Sequence, residues 1–167
     1  PVLTAADSAR TVEELWETSC IWEVGSAREK VARARAALLT KGMAAVRYAL
    51  QKGLDSQDGL VYRNLLEVGK SQPDSFTALI RPRLTDPDLW VQRNVISLLG
   101  EMKRKEARSD LEAMLRDAKQ EKHYNRVIQA LGNIGEAAAR PAIRPFLKDA
   151  KERRRIVSVV ALQALKD

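Results

Sequence analysis

Apolar residues along this chain recur at helical spacing. Between Asp86 and Asp117, Val91, Val95, Leu98 and Leu99 fall on one face of a first segment, and Leu111, Met114 and Leu115 on one face of a second. "DPD" from Asp86 opens the first segment as an Asx turn, with a proline tolerated in the first helical turn. "KRKEA" makes the turn between the two. Read this way, the chain predicts helices over 11–23, 27–40, 43–52, 58–70, 74–84, 88–103, 106–117, 121–135, 138–148 and 152–166, and no strand. At the front, Thr11 and Glu14 have the spacing of a capping box. Val12, Leu15, Trp16, Ile21 and Trp22 follow as an apolar stripe, expected to be core. At the other end Ile156, Val157, Val159, Val160, Ala161, Leu162, Ala164 and Leu165 wrap most of a helix. Such a helix expects cover on more than one side.

The pattern repeats. "IRPRLTD" from Ile80 returns as "IRPFLKD" from Ile143, 63 positions on, with "LEAMLRD" from Leu111 between them. Gly69, Gly100 and Gly132 are spaced by 31 and 32, as are Leu84, Leu115 and Leu147. A period of this length in paired helices is the mark of a stacked array, since one pair cannot bury its apolar face alone. The repeated phrase is then the second helix of each unit, its Ile and Leu turned to the core. Gly100 lies where a small residue lets the next unit approach. Pro82 and Pro145 fall inside second helices and predict a bend or a late start there.

"DPDLWVQRNVISLLGEMKRKEARSDLEAMLRD" and "ALGNIGEAAARPAIRPFLKD" resemble the short HEAT-like repeats first described in phycobilisome lyases, over roughly residues 27–167. The resemblance implies an all-α, right-handed α-α superhelix: a HEAT-like solenoid of about four and a half helix pairs behind an N-terminal capping helix. Residues 1–26 would be the acidic cap and 27–167 a single repeat domain. Such repeats serve as scaffolds, lyases, regulators and nucleic-acid enzymes, so fold does not choose among them. HEAT-like alkylpurine DNA glycosylases place an acid and aromatics on a basic concave face. Here Trp16, Trp22 and Trp90 lie off the second helices, and no catalytic residue carries over.

Charge changes the picture. The net charge is +7, but residues 1–23 hold one Arg and five acids, a net of −4, which leaves +11 on the rest. That raises the prospect of a polyanionic or acidic partner. Chemistry, by contrast, has little to work with. His123 is the sole histidine, expected at a surface or helix start, and Cys20 the sole cysteine, set among acids that would raise its pKa. No metal-ligand cluster or phosphate loop is written in the chain, so catalytic, cofactor and metal sites are all expected to be absent.

The expected working surface is the outward row of the second helices. Its positions are Tyr48, Gln51, Lys52 and Asp55; Ala78, Arg81, Pro82 and Thr85; Ser109, Glu112, Ala113 and Arg116; and Pro141, Arg144, Pro145 and Lys148. Tyr48, Lys52, Arg81, Arg116, Arg144 and Lys148 are its candidate contacts. Two basic triplets, Lys103-Arg104-Lys105 and Arg153-Arg154-Arg155, form candidate rims. The favoured reading is a non-enzymatic scaffold that binds a partner protein, an acidic one among the candidates, through the concave second-helix face and the basic rims. The alternative is electrostatic nucleic-acid binding, and lyase chemistry comes third, by resemblance alone. Self-association through the last helix is a further expectation. No run is long and apolar enough to span a membrane. The expected compartment is the cytoplasm, with export after processing the alternative because no methionine opens the chain.

Overall fold

The computed structural model describes residues 2–166. Among them all regular structure is helical, in α-helices and short 3-10 segments. Residues 1–79 and 80–167 form two compact units.

The first unit begins with α1 (Ala5–Ala9), which the apolar pattern did not announce because it buries nothing. A capping box made by Thr4 and Asp7 holds it. The box predicted at Thr11 and Glu14 starts α2 (Val12–Ser19). Its Leu15 and Trp16 are buried, as expected. The helix stops at Ser19, with the Cys20 N–H closing on the carbonyls of Trp16 and Glu17. Ile21 and Trp22 therefore leave the stripe and stand 46% and 70% exposed, contrary to the expected core pair. Four further helices follow: α3 (Ala27–Thr40), α4 (Met43–Gly53), α5 (Gly59–Ser71) and α6 (Pro73–Ile80).

Trp16 packs edge-on to Tyr48 of α4, with ring centroids 6.4 Å apart. A Cβ on Gly53 would meet that indole at 3.2 Å. The acidic first residues thus pack within the unit of residues 1–79. A buried polar hub adds to the join. Asn64 of α5 donates to Ser19 Oγ at 3.0 Å and Cys20 Sγ at 3.2 Å, and accepts from Arg35 Nε of α3 at 2.9 Å. Burial pushes the Cys20 thiol pKa up.

In the second unit the first helices are α7 (Leu89–Glu101), α9 (Tyr124–Ile134) and α11 (Glu152–Ala164), and each packs on the next. Asp88 caps α7, its carboxylate accepting from the N–H groups of Trp90 and Val91. Glycine sets the approach between neighbours. A Cβ on Gly100 would stand 2.7 Å from the Ala130 Cα, and one on Gly132 2.9 Å from the Ala161 Cα. These contacts are too close for any side chain.

The second helices are short: α8 (Arg108–Arg116) and α10 (Arg140–Ile143). The prolines act differently from the expected bend or late start. In both copies of the repeated phrase the α-helix ends at the isoleucine, and the residues from the arginine onward tighten into 3-10 turns, Arg81–Thr85 and Arg144–Lys148. Proline has no N–H for the α-helical ladder and suits the first positions of a new turn. One expected core position moves as a result. Leu84 and Leu115 are buried, but Leu147 is 38% exposed. Phe146 turns inward instead, edge-on to Tyr124 at 5.2 Å.

Polar bonds between neighbouring units recur at about one period. Arg126 donates to Ser97 Oγ at 2.8 Å across 29 residues. Arg108 donates to Glu136 at 2.9 Å across 28. Arg154 donates to Glu121 at 3.1 Å across 33, and His123 bonds Gln92 across 31.

Candidate partner-binding face

Each second helix, with the 3-10 turn that ends it, buries one side and packs on the first helix that follows it, and leaves the other side open. In residues 80–167 the buried positions are Ile80, Leu84, Leu111, Met114, Leu115 and Ile143. The outward row predicted from the repeat is open: Pro82, Ala113, Arg116, Pro141, Arg144, Pro145 and Lys148 are exposed, and Arg81 and Glu112 half-buried. These positions are open even though the 3-10 turns replace the expected phase from Arg81 and Arg144 onward, where Phe146 and not Leu147 turns inward.

The cations on this face differ in what already engages them. Arg81 is ion-paired with Asp110 at the start of α8. Arg108 donates to both Glu112, at 2.7 Å, and Glu136, so the Glu112 carboxylate is neutralised in place. Arg116 and Lys148 have no acid partner among the described residues.

Between α8 and α10 lies a groove of about 390 Å³. Leu115, Ala142 and Phe146 are its more buried part, Pro141 and Pro145 its exposed apolar part, and Arg116 stands beside them with Glu112. The groove escaped the sequence reading. It depends on what fills the gap between neighbouring second helices, which a list of outward positions does not contain.

In residues 1–79, Tyr48 is half-buried rather than open, and Lys52 Nζ sits 5.8 Å from its ring. Burial foremost, and then Glu13, push the Tyr48 phenol pKa up. Its hydroxyl already has an acidic neighbour.

The rims are thinner than the sequence suggests. Lys103 is exposed and holds the left-handed position after α7, at φ 54°. Arg104 chelates Glu106, and Lys105 comes within 4.0 Å of Glu136. Arg153 is exposed, whereas Arg155 donates to the backbone carbonyls of Asp149 and Ala150. Arg154 is not a rim residue at all. It is buried, lies over the Tyr124 ring, and is bonded to Asp149 and Glu121. Its place in the triplet hid this, because on a helix three consecutive residues point in three directions.

His123 is also buried, not at the surface. It starts α9, as the sequence allowed, and one ring nitrogen meets the Gln92 side chain. Burial foremost, then the charges of Lys122, Arg93 and Arg126, push its pKa down to about 4. Among the described residues no group of acids, histidine and cysteine could hold a metal, and no helix is long and apolar enough to cross a membrane.

Comparison with known proteins adds the following. The family model for HEAT repeats matches residues 77–163. No curated protein matches the chain. Among solved structures, the complex of CpcE and CpcF of phycocyanin lyase from Nostoc sp. PCC7120 is similar, with a TM-score of 0.57 and 21% identity. The match covers 93% of this chain but 65% of that one, and at this identity the likeness is one of fold.

Proposed function

This chain belongs to the HEAT-repeat family, and from that premise we propose that it is a scaffold which binds an acidic segment of a partner protein on the second-helix face of residues 80–167. One observation carries the reading. The open row of second-helix positions holds Arg116 and Lys148, cations with no acid partner among the described residues, beside an apolar groove. Exposed cations flanking apolar surface suit a protein segment that brings carboxylates and an aliphatic or aromatic anchor together. Arg81 and Arg144 belong to the same candidate row.

The nucleic-acid alternative rests on the net charge of +7. Acids already hold Arg104, Arg108 and Arg154, and a protein that must neutralise many phosphates leaves its cations open. Lyase activity belongs to the similar complex; no residue of this chain is assigned to it.

The test is selection from a displayed random-peptide library against the wild type and against the triple variant Arg116→Glu, Arg144→Glu, Lys148→Glu. The expected result is a family of acidic sequences retained by the wild type and lost by the variant at unchanged helical content. Recovery of the same sequences by both proteins refutes the reading. Tight duplex DNA binding with a steep salt dependence would replace it with the alternative.

A further inference from the structure

The repeat closes the gap between neighbouring second helices at one step and leaves it open at the next. Ile80, Leu111 and Ile143 hold equivalent places, so Arg81, Glu112 and Arg144 follow them in register, and Asp110 and Ala142 precede the latter two. At the first step Arg81 reaches across to Asp110 and the ion pair spans the gap. At the second step the facing positions are Glu112 and Ala142. Alanine cannot answer a carboxylate, and Glu112 turns back to Arg108 one helical turn away, at 2.7 Å. The groove of about 390 Å³ occupies the space left between them.

What surrounds that space fixes its chemistry. Pro141 and Pro145 offer ring carbons and no N–H, and their locked backbone cannot fold inward to fill the gap. Phe146 is held by Tyr124, and Leu115 is packed in the core. The surface is therefore rigid and apolar. Glu112 is satisfied by Arg108, which leaves Arg116 as the charge beside the groove without a described partner.

Building on the function proposed above, we propose that this groove is the specificity pocket of the binding face. It accepts one large apolar side chain of a partner protein segment, and Arg116 holds a carboxylate that lies next to that side chain in the segment. The partner thereby supplies at this step the carboxylate that Asp110 supplies at the step before.

Two substitutions test it without touching the core. Ala142→Arg sets a cation opposite Glu112, the Arg81–Asp110 bridge with its signs exchanged, and should close the groove while the fold keeps its stability. Arg116→Glu reverses the charge and leaves the groove open. The probes are short acetylated peptides in a Gly-Ser background: one with the core Asp-Phe-Asp-Leu-Asp, one with Lys for each Asp, and one with Ser for Phe and Leu. Binding is read from amide shifts of Leu115, Arg116 and Phe146 in the full chain. The acidic apolar peptide should give saturable shifts there. Loss of one charged hydrogen bond, or of one buried large apolar side chain, corresponds to about tenfold or more, so each control peptide should bind at least that much more weakly. Ala142→Arg should lose the acidic peptide, and Arg116→Glu should come to prefer the lysine peptide.

Equal binding by wild type and Ala142→Arg overturns the pocket, as does the absence of shifts at these residues. If library selection still yields acidic sequences that depend on Arg144 and Lys148, the face stands as a binding surface and the pocket alone falls. If selection yields none, both fall.

Discussion

Gly100→Ala separates packing from helix propensity, because the two predict opposite signs. Alanine is the better helix former, by about 1 kcal/mol, and on propensity alone the variant should gain stability. The structure says otherwise. The new Cβ would lie 2.7 Å from the Ala130 Cα and 2.8 Å from its Cβ. Carbon atoms pack at about 3.5–4.0 Å, so α9 must retreat by close to an ångström. The obstacle is backbone of the facing helix and cannot rotate aside. Overpacking of this kind costs about 1–3 kcal/mol, and a backbone obstacle belongs at the upper end. The net expectation is a loss of about 2 kcal/mol, the overpacking cost less the propensity gain. Gly59→Ala is the control, since that glycine opens α5 with nothing within 4 Å of its added carbon. Urea titration followed by circular dichroism should lower the midpoint for Gly100→Ala and leave it level or raised for Gly59→Ala. If both variants gain stability, α7 and α9 do not meet at the glycine and the packing argument is wrong.

Three other outcomes follow from the same kind of reasoning. Asn64→Ala leaves Ser19, Cys20 and Arg35 without their shared partner, and should cost about 1–3 kcal/mol in urea titration, where Asn→Ala at an exposed site costs almost nothing. For His123 the folded pKa of about 4 lies below the ordinary 6.5, so the unfolded chain binds the extra proton; stability present above the ordinary value should fall, by up to about 3 kcal/mol, as pH drops from there to the folded value, and His123→Gln should remove that part of the slope. Val160 is 59% exposed on α11 beside Ile156 and Val159, so light scattering should show a mass that rises with concentration in the wild type but not in Val160→Glu; Leu162 is buried, and its Glu variant would report on folding instead.

The helix pairs were legible because their burial is periodic and repeated, and both α3 and the start of α2 fall where the spacing put them. What the pattern missed has particular causes. The α1 helix is held by a capping box and buries nothing, so only Thr4 and Asp7 announced it. Trp22 was assigned to the core by extending the α2 stripe past a helix that ends three residues earlier. Repeat register pointed to exposed positions such as Arg116 and Lys148, but it placed Tyr48 in the open. It placed Leu147 in the core because it carries one helical phase through turns that tighten to 3-10. Which cations of the outward row remain unpaired was not legible, because ion pairs such as Arg81 with Asp110 join residues 29 apart whose side chains meet only once the units are stacked. The groove did leave a trace in the sequence: aspartate at 110 and alanine at 142, in the same place of successive units.

The bonds that join neighbouring units also bear on how the chain folds. In the second unit they close loops of 28 to 33 residues, one repeat at a time. Loop-closure entropy grows only with the logarithm of length, so these closures are nearly equal in cost and no step waits on a distant partner. Low contact order of this kind goes with fast folding, and an array of near-equal nearest-neighbour steps can nucleate at any adjacent pair and spread from there. A chain emerging from the ribosome would meet its next bonding partner about one repeat after each unit appears, so its order of synthesis could serve as its order of assembly.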